Sequence, residues 1–289
     1  MTGDGGRVRS SYPVVLIATR IRAEERMLLE AFRRRAVSCV HVDDRTLVYR
    51  VGGPPPKWRA VLNRAISATR RLEVSRLYEA LDIAVFNSLA TLTCCSSKIA
   101  GSLALHHAGL PIPATAIALD ASSGGAAVAE VGFPAVVKPV VGSWGRGLAK
   151  VNDTDAAEAV FGLRDQMPSP VQKLPYAQEF VRGRDIRVLV VGGRAVAAIE
   201  RAGEHWVRNT ARGGQARACV LDPELTELAE RAAEAVGGGI LGVDLLETDQ
   251  GNRLVIEVNG GVEFHGLAAA HPKIPVADVM IDYVLGRTP

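Results

Sequence analysis

Lys138 stands in the apolar run VVKPVV (136–141), and the loop GSWGRG (142–147) follows at once. An ammonium among valines either snorkels to a strand edge or faces an anion. Three glycines in six residues let a backbone approach a ligand closely and aim N–H groups at it, which is how phosphates are cradled. The loop is neither GxGxxG nor GxxxxGK[ST]. It joins two predicted strands instead of opening a helix, so Rossmann and P-loop readings fail on context. Taken alone, the pair reads as a snorkelling lysine and a plain hairpin.

A second group lies in ILGVDLLETDQGNRLVIEVN (240–259). Asp244 falls inside an apolar strand-like run, and Glu257 and Asn259 alternate along the next strand, so those two share a face. Three converging oxygen ligands with open positions for phosphate and water suit magnesium. Singly, Asp244 reads as a turn cap and Glu257 as the solvent side of a half-buried strand. Their placement together with Lys138 favours a site. In YAQEFVRGRDIRV (176–188), Gln178 and Glu179 end a strand that offers backbone groups to a purine edge. Asp185 suits ribose hydroxyls or the orientation of a neighbouring arginine. The stretch RAGEHWVRNTARGGQA (201–216) carries Arg201, Arg208, Asn209 and Arg212, and an arginine fork beside a metal–phosphate site binds carboxylate or phosphate bidentately.

The elements that must position these groups follow from periodicity. YPVVLIATR (12–20) reads as a buried strand and AEERMLLEAFRRR (23–35) as a helix, with Met27, Leu28, Ala31 and Phe32 at helical spacing. Residues 59–87 repeat strand, helix, strand, so the first 93 residues read as a mostly parallel α/β layer. GGPPPKW (52–58) is a loop or an edge, because three prolines cannot continue a ladder. A helix in SSKIAGSLALHHAG stops at Gly109. Beyond it, YAQEFV, DIRVLVVGGRAVAAIERA and RLVIEVN are strands, the second a hairpin turning at Gly192-Gly193, with the helix PELTELAERAAEAVG between the last two. An antiparallel sheet with helices is expected for this half.

Composition narrows the function. The 289 residues are 48% apolar and 22% charged, enough for a substantial core. No apolar run approaches the ~18–20 residues of a membrane span, and the first twelve residues hold no signal-type run, so a cytoplasmic protein without membrane partners is expected. Cys39, Cys94, Cys95 and Cys219 have no CxxC spacing. The net charge of +3 is scattered, which suits phosphate or carboxylate ligands better than nucleic acid.

In their order the motifs resemble the ATP-grasp ligases, and within them the LysX/RimK group. The segments that carry the likeness are TRIRAEERMLLEAF, VVKPVVGSWGRGLAKV, QEFVRGRDIRVLVVGGRAVAAIER, HWVRNTARGGQA and EAVGGGILGVDLLE…IEVNGGVEFHG. The resemblance implies a combined α/β and α+β fold: a pre-ATP-grasp domain (1–93) and central (94–177) and C-terminal (178–289) subdomains that clamp ATP. It implies that Lys98 and Lys138 hold the α- and β-phosphates, and that Ser143, Trp144 and Gly145 form a loop over the triphosphate. Gln178, Glu179 and Val181 would border the adenine, and Asp185 would lie near the ribose. Asp244, Glu257 and Asn259 would bind Mg2+, and Arg187, Arg201, Asn209 and Arg212 would address the γ-phosphate or the reacting carboxylate. No Ser/His/Asp or Cys/His nucleophile is needed, which leaves His41, His106, His107 and His205 as ordinary packing or surface residues.

Members of the group join the α-amino group of 2-aminoadipate or glutamate to the C-terminal glutamate of the small acidic carrier LysW, through an acyl phosphate. The resemblance therefore implies ATP and Mg2+, an acidic carrier protein as partner, an acidic amino-acid substrate, and a homodimer or homotetramer. Arg20 and Arg22 would contribute to a basic surface for the acidic carrier or to the amino-acid site, with a solvated strand-to-helix turn as the plain alternative, and Phe264, His265 and Gly266 fall in the substrate-specificity region. Lysine-type members read EFKN where this chain reads EFHG, and Gly266 at the asparagine position is closer to the glutamate-accepting members. Alternatives are a RimK-like ligase that adds glutamate to a peptide or protein C-terminus, a natural-product pathway ligase, and a nucleotide-binding regulatory module without activity. The joint presence of Lys98, Lys138, Asp244, Glu257 and Asn259 speaks against the last.

Overall fold

The computed structural model describes residues 11–142, 145–203, 206 and 215–288. Strand β1 (Val14–Ile17) is buried along its whole length, as a strand inside a parallel sheet must be. It lies between β2 (Cys39–Val42) and β3 (Ala60–Asn63), and β4 (Ala84–Phe86) pairs with β3, all in parallel. Alternate side chains serve the two faces. Val14 and Leu16 meet Leu28, Ala31 and Phe32 of α1 (Ala23–Arg34), whereas Val15 and Ile17 meet Val74 and Tyr78 of α2 (Ala68–Glu79). The parallel layer expected for the N-terminal third is thus present. Residues 52–58 form no strand, and Trp58 after the prolines stacks on Tyr78 at 4.9 Å.

The helix expected from Ser96 to Gly109 is present as α4 (Lys98–His107), and a separate helix α3 (Leu89–Ser96) precedes it. Ser97 is extended, and its hydroxyl accepts from the N–H of Ala100, capping α4. The break places Lys98 in the first turn of α4. Its backbone N–H then reaches the carbonyl of Val140, just before the glycine loop, at 2.9 Å.

Beyond α4 there are two antiparallel sheets where one was expected. The central sheet is built from β5 (Thr115–Ile117), β6 (Ala135–Lys138), β7 (Ala149–Val151) and β8 (Tyr176–Glu179), in the order β5-β8-β6-β7. Ala135, Val137 and Ala177 pack outward on Val128 of α5 (Gly124–Val131) and Phe161 of α6 (Thr154–Asp165). A short helix α7 (Pro170–Lys173) leads back to β8. Strand β8 lies wholly in this sheet, so a division between residues 177 and 178 would cut through it.

The larger sheet contains β9 (Arg184–Val191), β10 (Arg194–Ala202), β11 (Gln215–Cys219), β12 (Ile240–Glu247) and β13 (Arg253–Asn259), in the order β11-β10-β9-β12-β13. The expected hairpin between β9 and β10 is formed. Gly192 and Gly193 both have positive φ, +60° and +83°, the requirement of the two-residue turn that matches strand twist. One face of this sheet, with Ile186, Val188, Leu241 and Val243, packs on α8 (Pro223–Ala235). Leu105 of α4 and Leu110 join the same core, so α4 belongs with this sheet more than with the central one.

The opposite face is apolar only at one end. Leu189, Val191 and Ile199 share a core with Met280, Ile281 and Val284 of α10 (Val276–Gly286) and with Leu28 and Phe32 of α1. Ion pairs from Arg34 and Arg35 to Asp278, and from Arg35 to Asp282, fasten the same two helices. The N-terminal layer is therefore packed onto the C-terminal sheet. At its other end that face turns ionic, with Asp185, Arg187 and Asp244. No described helix is long and apolar enough to cross a membrane.

Candidate active site

The ionic end of the large sheet, the inner face of the central sheet and the rim of the N-terminal layer enclose a cavity of about 1000 Å³, at the upper end of ordinary small-molecule sites. Two-residue alternation explains the central wall. Val136 and Lys138 on β6 and Tyr176 and Gln178 on β8 point away from the core residues between them. Lys138 does not snorkel: its side chain is 8% exposed. Its Nζ donates to Oε1 of Gln178, while Gln178 Nε2 donates to Thr115 Oγ1 at 3.0 Å. The Tyr176 and Ser102 hydroxyls, 2.7 Å apart, complete a buried polar chain. Burial pushes the Lys138 ammonium down to about 8, Lys98 adds to that fall, and the Glu257 carboxylate opposes it.

Lys98 enters from α4. Its Nζ donates to the carbonyl of Gly142 at 3.1 Å and lies 3.6 Å from Glu257. On the large sheet, Asp244 faces Glu257 across β12 and β13, and Asn259 is the next inward residue. Asn259 Nδ2 donates to both carboxylates, at 3.2 Å to Asp244 and 3.1 Å to Glu257. Asp244 also accepts a bidentate pair from Arg187, at 2.6 and 2.7 Å. Arg201 donates to Asp185 from Nε at 3.0 Å and from Nη2, which stands 3.4 Å from Asp244 as well.

Electrostatics follows from this packing. Burial alone would raise Asp244, but the Arg187 and Arg201 charges hold it below the usual carboxylate range. Glu257 behaves likewise: burial opposes its ionisation, and Lys98 and Lys138 outweigh it. For Asp185 burial wins over Arg201, the Asp244 charge assists, and the carboxyl rises to about 6. Four cationic side chains, Lys98, Lys138, Arg187 and Arg201, thus surround three carboxylates. At these seven side chains the positive charges exceed the negative by one, less than the charge of a triphosphate.

The residues fit a further cation. Two buried carboxylates and one amide converge, and the amide nitrogen of Asn259 bridges oxygens that a hard ion would otherwise bridge. Turning that amide presents its oxygen instead. Asp244 has both oxygens on Arg187, so Glu257 and Asn259 would be the principal protein ligands and Asp244 a shared one.

Of the residues singled out in the sequence, Lys98, Lys138, Gly145, Gln178, Glu179, Val181, Asp185, Arg187, Arg201, Asp244, Glu257, Asn259 and Arg22 line the cavity. Two have surroundings other than those expected. Gln178 is 3% exposed and its side chain is spent on Lys138, Thr115 and Tyr176, so only its main chain is left for the purine edge expected there. Asp185 is engaged by Arg201, which matches the orienting alternative and not a free ribose ligand. Ser143, Trp144, Asn209 and Arg212 lie outside the described residues.

The expected substrate set needs the largest correction. Arg20 is exposed at the strand-to-helix turn and does not line the cavity. Phe264 is fully buried, under the Arg64 guanidinium at 5.6 Å, because an aromatic ring between Val262 and Leu267 gains more from the core than from water. His265 is exposed at the start of α9 (His265–Ala270), its N–H on Glu24, and Gly266 packs that helix toward Ala216. The end of the cavity beside the N-terminal layer is lined by Asn63, Arg64, Arg71, Gly261 and Glu263. No local motif marks these residues. Phe180, under the Lys150 ammonium at 4.0 Å and edge-on to Trp206 at 6.0 Å, also lines the cavity and is marked by no motif of its own.

Comparison with known proteins agrees with this architecture. Residues 14–94 match the LysX preATP-grasp domain and residues 95–284 the RimK-like ATP-grasp domain. The alpha-aminoadipate–LysW ligase LysX of Saccharolobus solfataricus is 36% identical over 206 residues, 70% of this chain and 75% of that protein. The glutamate–LysW ligase ArgX of Sulfolobus acidocaldarius is 28% identical over 277 residues, 94% of this chain and 97% of that protein. The crystal structure of a RimK domain ATP-grasp protein from Sphaerobacter thermophilus superposes with a TM-score of 0.80 at 30% identity, covering 95% of this chain and all of that one.

Proposed function

The chain belongs to the RimK-like ATP-grasp family, and from that premise we propose that it is an ATP-dependent carboxylate–amine ligase that joins the α-amino group of an acidic amino acid to the C-terminal glutamate of a LysW-like carrier protein. The observation that carries the proposal is the meeting of Lys98 and Lys138 with Asp244, Glu257 and Asn259 in one cavity between two antiparallel sheets. The names of the similar LysX and ArgX proteins supply the substrate class and the carrier.

The reaction asks for charge control, not for a protein nucleophile. A carboxylate oxygen attacks the γ-phosphorus of ATP and ADP leaves; the amine then attacks the acyl carbon, phosphate leaves, and the nitrogen loses a proton. Both steps gather negative charge on phosphate oxygens. Lys138 is buried and held by Gln178, so its charge is fixed in place before the nucleotide arrives. Lys98 approaches the same oxygens from α4. Arg187 uses Nε and Nη2 on Asp244, leaving Nη1 for the transferred group. Asp185 holds Arg201 at the same wall. A magnesium ion at Glu257 and Asn259 would supply the positive charge that four cations against three carboxylates lack for a triphosphate.

The test is ADP release with L-glutamate and L-2-aminoadipate, with and without a LysW-like carrier, and with mass analysis of the carrier. The expected result is ADP formation that requires amino acid and carrier together, and an adduct one amino-acid residue heavier. Glu257→Ala should fold and show no magnesium-dependent turnover. ADP production at background for every combination would remove the ligase reading.

A further inference from the structure

Three arginines close the end of the cavity that the N-terminal layer provides, and two of them are occupied. Arg22 donates to Glu25 from Nε and Nη2 and to Glu263 from Nη1, at 3.0 to 3.1 Å. Arg64 donates to Glu25 at 3.1 Å and to the carbonyl of Val262 at 2.6 Å. The Arg71 side chain has neither an ion pair nor a hydrogen bond among the described residues, although its main chain is anchored: Asn63 Nδ2 donates to the Arg71 carbonyl at 2.8 Å. Its guanidinium lies against Gly261, where a Cβ would stand 1.2 Å from Nη1. Burial lowers its pKa to about 10, the Arg64 and Arg22 charges press in the same direction, and Cys95 and the Glu263 carboxylate oppose them without reversing the fall. An enclosed guanidinium beside like charges is unfavourable until an anion reaches it.

Position restricts which anion that is. Gly261 follows Asn259 by two residues, a backbone reach of at most ~7 Å, so Arg71 stands about one small molecule away from the carboxylate–amide cluster. Its contact is two residues past Asn259, whereas Lys98 and Lys138 address Glu257, two residues before it. Phosphate charge is addressed at the other end. We propose that Arg71 is the receptor for a carboxylate of the amine substrate, with Gly261 kept free of a side chain so that the guanidinium has room. The proposal deepens the ligase reading and rests on it for the substrate class. The carboxylate is either the α-carboxylate or the side-chain carboxylate of an acidic amino acid, and the two are separable by amide analogues.

The experiment measures equilibrium binding of L-glutamate, L-glutamine and L-isoglutamine to the full chain in the presence of magnesium and a non-hydrolysable ATP analogue. Wild type is compared with Arg71→Met, Arg71→Lys and Gly261→Ala, each checked for an unchanged thermal midpoint. Loss of a charge-assisted bidentate contact predicts glutamate binding weakened by about ten- to hundredfold in Arg71→Met, with part retained in Arg71→Lys. Gly261→Ala should resemble Arg71→Met. One amide analogue, the one neutral at the group that Arg71 reads, should bind wild type and Arg71→Met alike, while the other shows the full loss. If glutamine is the insensitive ligand the side chain is read; if isoglutamine, the α-carboxylate is. Undiminished glutamate binding by Arg71→Met overturns the proposal. So does equal weakening of all three ligands, which would assign Arg71 a structural role, and so does wild-type protein that binds none of them. These arms need no turnover. A chain that binds glutamate through Arg71 but releases no ADP would therefore sink the ligase reading and leave the subsite standing.

Discussion

Lys138 carries a pH dependence that its surroundings make calculable. A lysine ordinarily titrates near 10.5, and burial, with Lys98 alongside, brings this one to about 8. In the phosphate-holding role proposed for Lys138 the ammonium is the binding form, so apparent nucleotide affinity should fall in proportion to the protonated fraction. Between pH 7.5 and 9.5 that fraction drops from about three quarters to about one thirtieth, a ~25-fold weakening for a pKa of about 8. The terminal phosphate, with its second pKa near ~6, is fully ionised across this window and adds nothing. Binding at pH 9 should also take up close to one proton, since the bound phosphate favours the charged lysine. The sign for stability is opposite. From about 8 to 10.5 the unfolded chain holds the proton that the native site has released, so the stability of the free protein rises with pH there. Calorimetric titration with ADP in buffers of different ionisation enthalpy measures affinity and proton uptake together. A flat affinity from pH 7.5 to 9.5, or the same slope in Lys138→Met, would refute the argument.

Two substitutions probe the neighbours of that lysine. Gln178→Leu removes the acceptor for the Lys138 ammonium, so the midpoint of the affinity–pH curve should move below 8 with little change in urea stability; an unmoved midpoint would deny Gln178 its positioning role. Asp244→Asn leaves Arg187 buried without its bidentate partner, and urea unfolding should show a loss of about 3–5 kcal/mol. A loss under ~1 kcal/mol would mean that Arg187 finds another partner cheaply.

Legibility in the sequence followed the range of the interaction. The turn at Gly192-Gly193, the parallel layer and the shared face of Glu257 and Asn259 depend on neighbours two or three residues away, and periodicity displays them. Asp244 meets Glu257 across a short connection, which an alternating pattern also brings together. The role of Gln178 depends on strand register with β6, forty residues earlier, and no local pattern encodes register between separated strands. Phe264 sits in a motif that points to substrate, yet its neighbours, Val262 and Arg64, come from two domains and draw it into the core. Arg71 is an ordinary helical arginine until the fold lays Gly261 against it. Arg20 and Arg22 are two residues apart, yet only Arg22 turns inward, drawn by Glu25 and Glu263.

The distribution of cores has a mechanical reading. The N-terminal layer and the large sheet are welded through α10, whereas the central sheet with α5 and α6 keeps a separate core of its own. Opening the cavity at the first seam would expose Phe32, Met280 and Leu189 to water, whereas the core of the central sheet shares no residue with that seam. This separation of cores divides the molecule into a frame, made of the N-terminal layer and the large sheet, and a jaw, made of the central sheet with α5 and α6. Lys98 rides mainly on the frame and Lys138 on the jaw, so a nucleotide gripped by both would itself be the latch.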